Sequence, residues 1–285
     1  MKMPKEIREQ FRRHGRDGGL LGREICDVAA DREGVVRAEL ANEAVELLLV
    51  ARHEGDGVAL LAEASGDWLF VGAGGKMGPT MARMARKGLD RAGNPVRVCA
   101  ASRFSDESAR ESLELNGIET IVADVLDRDA VANLPDAANV VFMLGIKFGI
   151  TTNPSLAWAM NTQAPAHVAE RYAASRIVAF SSGNVYPYLA TDSGGATEET
   201  VAAPVGEYGW SLLGRERTFE HFSRIHGTKV ALVRLNYAVE TRYGILVDLA
   251  QRILAKEPVD LTAGHVNLIW QRDANEHALR CIRLA

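Results

Sequence analysis

Tyr208 is followed by Gly209-Trp210-Ser211-Leu212, so it opens a Tyr-x-x-x-Lys pattern whose lysine position holds leucine. A phenol so placed can exchange a proton with a substrate oxygen, and a cation one helical turn on would stabilise its anion. Here that cation is missing. Upstream, Gly72-Ala73-Gly74-Gly75-Lys76-Met77-Gly78 follows the apolar run Trp68-Leu69-Phe70-Val71 and opens a helical pattern. Gly72, Gly75 and Gly78 have G-x-x-G-x-x-G spacing. The first allows a tight turn off a strand, the second lets backbone approach a pyrophosphate, and the third lets the helix pack closely. A helix N-terminus offers free N–H groups and partial positive charge to phosphate. Strand, glycines and helix in this order predict a dinucleotide site that includes Lys76 and Met77.

The elements that must position these residues alternate along the chain. Apolar runs at Trp68–Val71, Val96–Ala101, Ile118–Ala123, Val140–Leu144, Arg176–Phe180 and Lys229–Leu235 read as buried strands. Helical patterns lie between them, with Gly117 closing the one over Glu107–Asn116. Met77, Met81, Met84 and Ala85 share one face of the first helix, a stripe that reads as packing against the sheet. This alternation predicts an α/β fold, a Rossmann-type doubly wound parallel sheet with helices on both faces. Ligands on such sheets bind at the carboxyl ends of the strands, where Asp124, Ser181, Ser182 and Asn236 fall. Residues 1–66 read as a helical N-terminal extension packed on the main domain. Residues 67–285 form the nucleotide-binding domain, with small substrate-binding elements after about 236.

Composition narrows the partners. A net charge of −4 over 285 residues leaves no electrostatic footprint for nucleic acid or an anionic membrane. No apolar run reaches bilayer length, and no signal-type segment precedes residue 30. Cys26, Cys99 and Cys281 are widely spaced, which argues for a reducing, cytoplasmic setting and against a disulfide framework. The seven histidines show no metal-ligand spacing, so no metal is expected.

The end of the second strand bears on cofactor choice. An acid there would hold ribose hydroxyls and favour NAD, but the chain has Ala100-Ala101-Ser102-Arg103. A hydroxyl and a guanidinium suit a 2′-phosphate, which points to NADP, although Arg103 also reads as an ordinary loop arginine. Asp124 could accept from the adenine amino group or simply cap a turn.

Together these residues resemble the extended short-chain dehydrogenase/reductase family, the NAD-dependent epimerase/dehydratase group. The resemblance runs from Trp68 to Leu284. It is carried by the glycine loop, Asp124-Val125, Asn161, Ser181-Ser182-Gly183-Asn184-Val185-Tyr186, Tyr208-Gly209-Trp210-Ser211, Arg234 with Asn236, and Asp273-Ala274. It implies that Tyr208 transfers the proton and that Ser182 hydrogen-bonds the reacting oxygen. It also implies that Val125, Leu144 and Asn161 belong with the cofactor, and that Ser181, Asn184 and Asn236 line the substrate cleft. Hydride would pass between a nicotinamide and a carbon bearing a hydroxyl or ketone on a small sugar, sugar acid or sugar nucleotide. A homodimer through the helices at about 157–174 and 208–226 is implied as well. Members usually run on beyond the helix near Asp273, so an abbreviated C-terminal substrate lobe is expected.

The departure is Leu212. A tyrosine with pKa about 10 needs a shift of about three units, or ~4 kcal/mol, to act as a base near neutrality. Leucine supplies no such shift. Lys147, just past the fourth strand, is the candidate substitute cation or an anchor for a substrate carboxylate; a plain surface lysine is the other reading. Lys76 is better placed for phosphate. Arg215 lies two turns past Tyr208 on its face, about 10 Å along the helix axis, and cannot relay protons. Two functions remain open: an NAD(P)-dependent oxidoreductase or epimerase, and a non-redox NAD(P)-binding sensor that lost its lysine.

Overall fold

The computed structural model describes residues 61, 64–146, 152–190, 192–261, 265–283 and 285. Nearly all of the expected N-terminal extension lies outside the described residues, as does Lys147. Strands β1 (Trp68–Val71), β2 (Val98–Ser102), β3 (Glu119–Val122), β4 (Asn139–Phe142), β5 (Arg176–Ser182) and β6 (Lys229–Leu235) make one parallel sheet. Their order is β3-β2-β1-β4-β5-β6, so the chain reverses direction across the sheet between β1 and β4. That switch point opens a crevice at the carboxyl ends of the two central strands.

The central strands are apolar without alternation because both faces are covered. β1 divides its side chains by the two-residue period. Trp68 and Phe70 join Met81, Leu89, Leu113 and Val178 in one core, whereas Leu69 and Val71 join Phe142, Val168, Tyr172 and Phe219 in the other. Helix α1 (Gly78–Arg91) faces the first core, and its methionine stripe packs there as the sequence suggests. Helices α2 (Glu107–Leu115) and α3 (Arg128–Ala132) start at Asp106 and Asp127, whose carboxylates accept from backbone N–H groups of the first turn. Such caps are each worth about 1 kcal/mol.

Helix α4 (Pro154–Trp158) continues through a wide π-turn (Ala159–Gln163) into α5 (Ala164–Arg171). The π-turn holds Asn161, which is fully buried. Such bulges recur where a side chain must be redirected. The long α6 (Gly206–His226) ends at Gly227, whose φ of +72° closes the helix in the left-handed region. After β6 come β7 (Tyr237–Val239), α7 (Ile245–Ala255), β8 (Leu268–Trp270) and α8 (Gln271–Arg280). Strands β7 and β8 pair in parallel as a separate ribbon. Three residues each are too few to show a hydrophobic period, which is why the sequence does not reveal them. α8 is tied to α1 by Gln271 Nε2 donating to Thr80 Oγ1 at 2.8 Å.

Strand ends differ from the sequence expectation by a residue or two. The fourth starts at Asn139 because that buried side chain donates to the carbonyls of Ser65 and Gly66, at 3.0 and 3.2 Å. Among the described residues no helix is long and apolar enough to cross a membrane.

Gly78 gives the first testable expectation. A Cβ there would sit 2.2 Å from the Ala73 carbonyl oxygen and 2.5 Å from its Cα, both backbone. Gly78→Ala should therefore lower stability by about 1–3 kcal/mol, read as a shifted urea midpoint at unchanged slope.

Candidate active site

The site begins where β1 ends. Gly72 has φ +88°, and a Cβ on it would fall 2.7 Å from the Leu144 nitrogen just past β4. Only glycine lets the two central strands come together there. Gly74, not singled out from the sequence, is more mildly constrained, because a Cβ would meet the side-chain Ser102 Oγ at 2.6 Å. Among the described residues a Cβ on Gly75 would meet only Gly72's carbonyl oxygen, at 3.6 Å, which leaves room beside the turn for an incoming group. The close packing at Gly78 is against the turn's own Ala73 rather than the sheet. No side chain caps the start of α1 and its first turn has no acid. Room beside Gly75 and an uncapped helix start fit a pyrophosphate.

Around this turn lie the other residues assigned to a cofactor. Ser102 closes β2 against Gly74, and Arg103 beside it is exposed. Phe104 turns through φ +45° and buries its ring in the first core, so the backbone kinks directly after Arg103. Asp124 forms an Asx turn, its Oδ1 accepting from Leu126 N at 3.0 Å, while Val125 is buried and its carbonyl meets His167 Nδ1 at 3.1 Å. Lys76 is exposed, and its ammonium sits 4.8 Å from the centroid of Tyr243's ring, between β7 and α7.

The oxygen-handling pair comes from β5 and α6. Ser182, the last residue of β5, lies beside Tyr208 in the first turn of α6, close enough for its hydroxyl to pull the phenol's pKa down. Ser182 Oγ also contacts exposed Asn184, donating to Oδ1 at 3.1 Å and accepting from the backbone N at 3.2 Å. Burial pushes the Tyr208 phenol above its ordinary value, while the Arg215 charge and the Ser182 hydrogen bond pull it back. Asn236, exposed after β6, packs its amide on Gly183, where a Cβ would fall 2.0 Å from Oδ1. Thus Ser182, Asn184 and Tyr208 gather at the end of β5, with Asn236 against the turn that follows.

Two assigned residues face elsewhere. Ser181 turns away from Ser182, as strand alternation requires, and donates to the buried carboxylate of Glu216 at 2.5 Å. Asn161 lies beneath the site; its Nδ2 donates to Ser211 Oγ at 2.9 Å and its Oδ1 accepts from Arg215 Nη2 at 2.5 Å. Leu212 is buried in a small apolar cluster with Val185 and Leu213, against which Tyr208 packs.

Sequence reasoning set Arg215 aside and passed over Glu216. Both are buried on α6, at 3% and 0% exposure. A signal was available: positions 208, 212, 215, 216 and 219 share one helical face, and two charges there interrupt an otherwise apolar stripe. Glu216 also binds Arg234, accepting from Nε at 3.0 Å and Nη2 at 2.7 Å, and Arg234 Nη1 donates to Tyr186 OH at 2.8 Å.

Solved structures share this arrangement of elements. A UDP-glucuronic acid 4-epimerase from Bacillus cereus, solved with UDP-glucuronic acid and NAD, superposes with TM-score 0.63 at 18% identity, over 73% of this chain and 70% of that one. A dTDP-glucose 4,6-dehydratase from Streptomyces venezuelae, solved with NAD bound, gives TM-score 0.67 at 16% identity, over 77% and 72%. A UDP-glucose 4-epimerase from Thermotoga maritima, solved with UDP-glucose, gives 0.64 at 16%, over 75% and 72%. No curated protein sequence matched the chain at a significant level. The family model for the NAD dependent epimerase/dehydratase family matches residues 68–262, from the first residue of β1 to beyond α7, and the chain belongs to that family.

Proposed function

We propose that the protein is an enzyme that moves hydride and a proton at a hydroxyl- or ketone-bearing carbon of a sugar, sugar acid or sugar nucleotide, using NADP or NAD. The observation that carries this reading is the juxtaposition of Ser182 and Tyr208 at the carboxyl end of β5, on the same edge of the sheet as the glycine turn. A dinucleotide would be held by the backbone of Gly72–Gly78, with Ser102 and Arg103 toward its adenosine end and Leu144 behind the turn. When bound, it supplies the site that gives or takes hydride. Tyr208 holds or releases the proton on the substrate oxygen, and Ser182 fixes that oxygen by hydrogen bonding.

The neighbours' ligands, which are nucleotide sugars, support this substrate class. Exposed Asn184 and Asn236 offer amide donors and acceptors suited to hydroxyl-rich molecules. The test is cofactor absorbance followed with a panel of sugars, sugar acids and nucleotide sugars. Tight cofactor binding without turnover on any of them would favour the second reading, a non-redox NAD(P)-binding sensor, which the apolar setting of Leu212 supports.

Preference for NADP rests on Ser102 and Arg103 in place of an acid. Arg103→Ala should raise the Kd for NADP about 10-fold or more and change that for NAD little, since a charge-assisted bond to phosphate is worth about 1.5–3 kcal/mol. Equal effects on both cofactors would return Arg103 to the surface. Self-association through α4–α5 and α6 is part of the proposal, supported by the exposed apolar residues Leu156 and Trp210 on those helices. Light scattering that gives a monomer mass would remove it.

A further inference from the structure

We infer that Arg215 takes over the electrostatic task that Leu212 leaves undone, holding a fixed positive charge beneath Tyr208 that favours its phenolate. This deepens the proposed function and rests on its assignment of Tyr208 to proton transfer. Arg215 is a positioning residue, because it reaches the reacting atoms only through other groups.

Its surroundings are unusual for a buried charge. Nη1 donates to the Phe180 carbonyl at 2.8 Å, Nη2 donates to Asn161 Oδ1 at 2.5 Å, and the guanidinium carbon lies 5.3 Å from the centroid of Phe142's ring. Among the described residues Nε has no hydrogen-bond partner. Among the described residues no salt bridge joins this guanidinium to a carboxylate. Glu216, its neighbour in sequence, gives its oxygens to Ser181 and Arg234 instead. Burying a charge against neutral partners costs several kcal/mol. Stability is therefore a poor reason for this residue, and field is a better one.

Both hydrogen-bonded arms lead to Tyr208. Through Phe180 the strand continues two residues to Ser182, whose hydroxyl neighbours the Tyr208 phenol. Through Asn161 the path runs to Ser211, whose hydroxyl donates to the Tyr208 carbonyl at 2.9 Å. The guanidinium also underlies the end of β4, where a Cβ on Gly145 would fall 3.0 Å from Nη2. The helical separation of about 10 Å is between backbones, and side chains on a helix lean toward its N-terminus. Arginine is long enough to reach back under the tyrosine.

Burial pulls the guanidinium down to about 10, which leaves it charged at neutral pH. Of the other titratable neighbours, Tyr237 on β7 pushes Tyr208 upward, and Glu216 favours the charged form of Arg215. The net position of Tyr208 stays above an ordinary phenol. Arg215 limits that rise and passes on no proton.

The experiment is a titration of the Tyr208 phenol by carbon-13 tyrosine NMR, assigned with Tyr208→Phe, in the wild type, Arg215→Met and Arg215→Lys. Loss of the charge should raise the Tyr208 midpoint by about one unit or more and lower neutral-pH turnover about 10-fold, with partial recovery at higher pH. Arg215→Lys should restore much of both. An unchanged midpoint in folded Arg215→Met would overturn the inference. If that variant does not fold, Arg215→Gln, which keeps a donor for Phe180, serves the same comparison. A control arm uses Tyr243, also half-buried, for which Glu240 heads the charge effects and pushes upward. Tyr243 has its own cations, Lys76 at 4.8 Å and Arg242 at 5.9 Å from its ring, so its midpoint should not move in Arg215→Met, and an equal shift at both tyrosines would overturn the inference. Turnover surviving in Tyr208→Phe would defeat the proposed function without touching an Arg215-dependent titration, so the two failures are distinguishable.

Discussion

Tyr208→Phe is expected to lower turnover by about 10²–10⁴-fold, the range for removing a positioned acid or base. Cofactor affinity should stay within about two-fold of the wild type, because the glycine turn and the β2 end do not involve this hydroxyl. Phenylalanine keeps the ring that packs against the cluster of Val185, Leu212 and Leu213, so the fold should be retained. The pH profile gives a second reading. The phenol is raised by burial, so it stays protonated through neutral pH and is ready to donate in the reducing direction. In the oxidising direction the rate should climb as pH rises and level off only above the ordinary phenol value near 10. Steady-state rates in both directions between pH 6 and 11 check this. A flat profile in both would remove Tyr208 from proton transfer.

The largest effect on stability is expected at Glu216 and Arg234. The carboxylate is fully buried and held by two guanidinium nitrogens and the Ser181 hydroxyl. Arg234 is less enclosed, its side chain keeping 22% of its exposure, and it retains Tyr186 OH as a partner. Breaking a buried pair by removing one member costs about 3–5 kcal/mol, because the other charge is left without compensation. The asymmetry of burial sets the order. Arg234→Met strands a charge with no access to water and should sit at the upper end of that range. Glu216→Leu strands a partly solvated one and should lie near or below the lower end. The double variant should be more stable than Arg234→Met alone, as urea denaturation would show. Equal losses for the two single variants would mean that the carboxylate reaches solvent. Since Ser181 is bonded to Glu216 and adjoins Ser182, Glu216→Leu should also reduce turnover in protein that remains folded.

The fold was readable where burial on both faces made long apolar runs. Trp68–Val71 and Lys229–Leu235 match the expected strands to the residue, because turn-forming residues bound them closely. The glycine turn was readable because Gly72 and Gly78 answer to backbone requirements at fixed spacing. Gly74 was not, since its constraint comes from Ser102, a contact between the turn and β2 that spacing does not encode. Ser182 and Tyr208 were legible as a pair, and the structure joins them. The orientation of Ser181 and Asn161 was legible only in part. Each faces a buried charge on α6, and a single sequence does not show which charges on an exposed-looking pattern are drawn inside. The burial of Arg215 was not legible from backbone distance, because axial rise ignores the reach and lean of a long side chain.

The strand order β3-β2-β1-β4-β5-β6 has a consequence for how the molecule assembles. Every neighbouring pair in this sheet is parallel, so each contact closes a loop containing at least one crossover, and none can form by a local hairpin. β1 waits for β4, some seventy residues later, before its second edge is filled. Ser182 and Tyr208 can meet only after β5 has docked and α6 has folded across it. Acquisition of nucleotide affinity on refolding should therefore precede recovery of the phenol's native environment, on the millisecond-to-second scale of topologies rich in distant contacts.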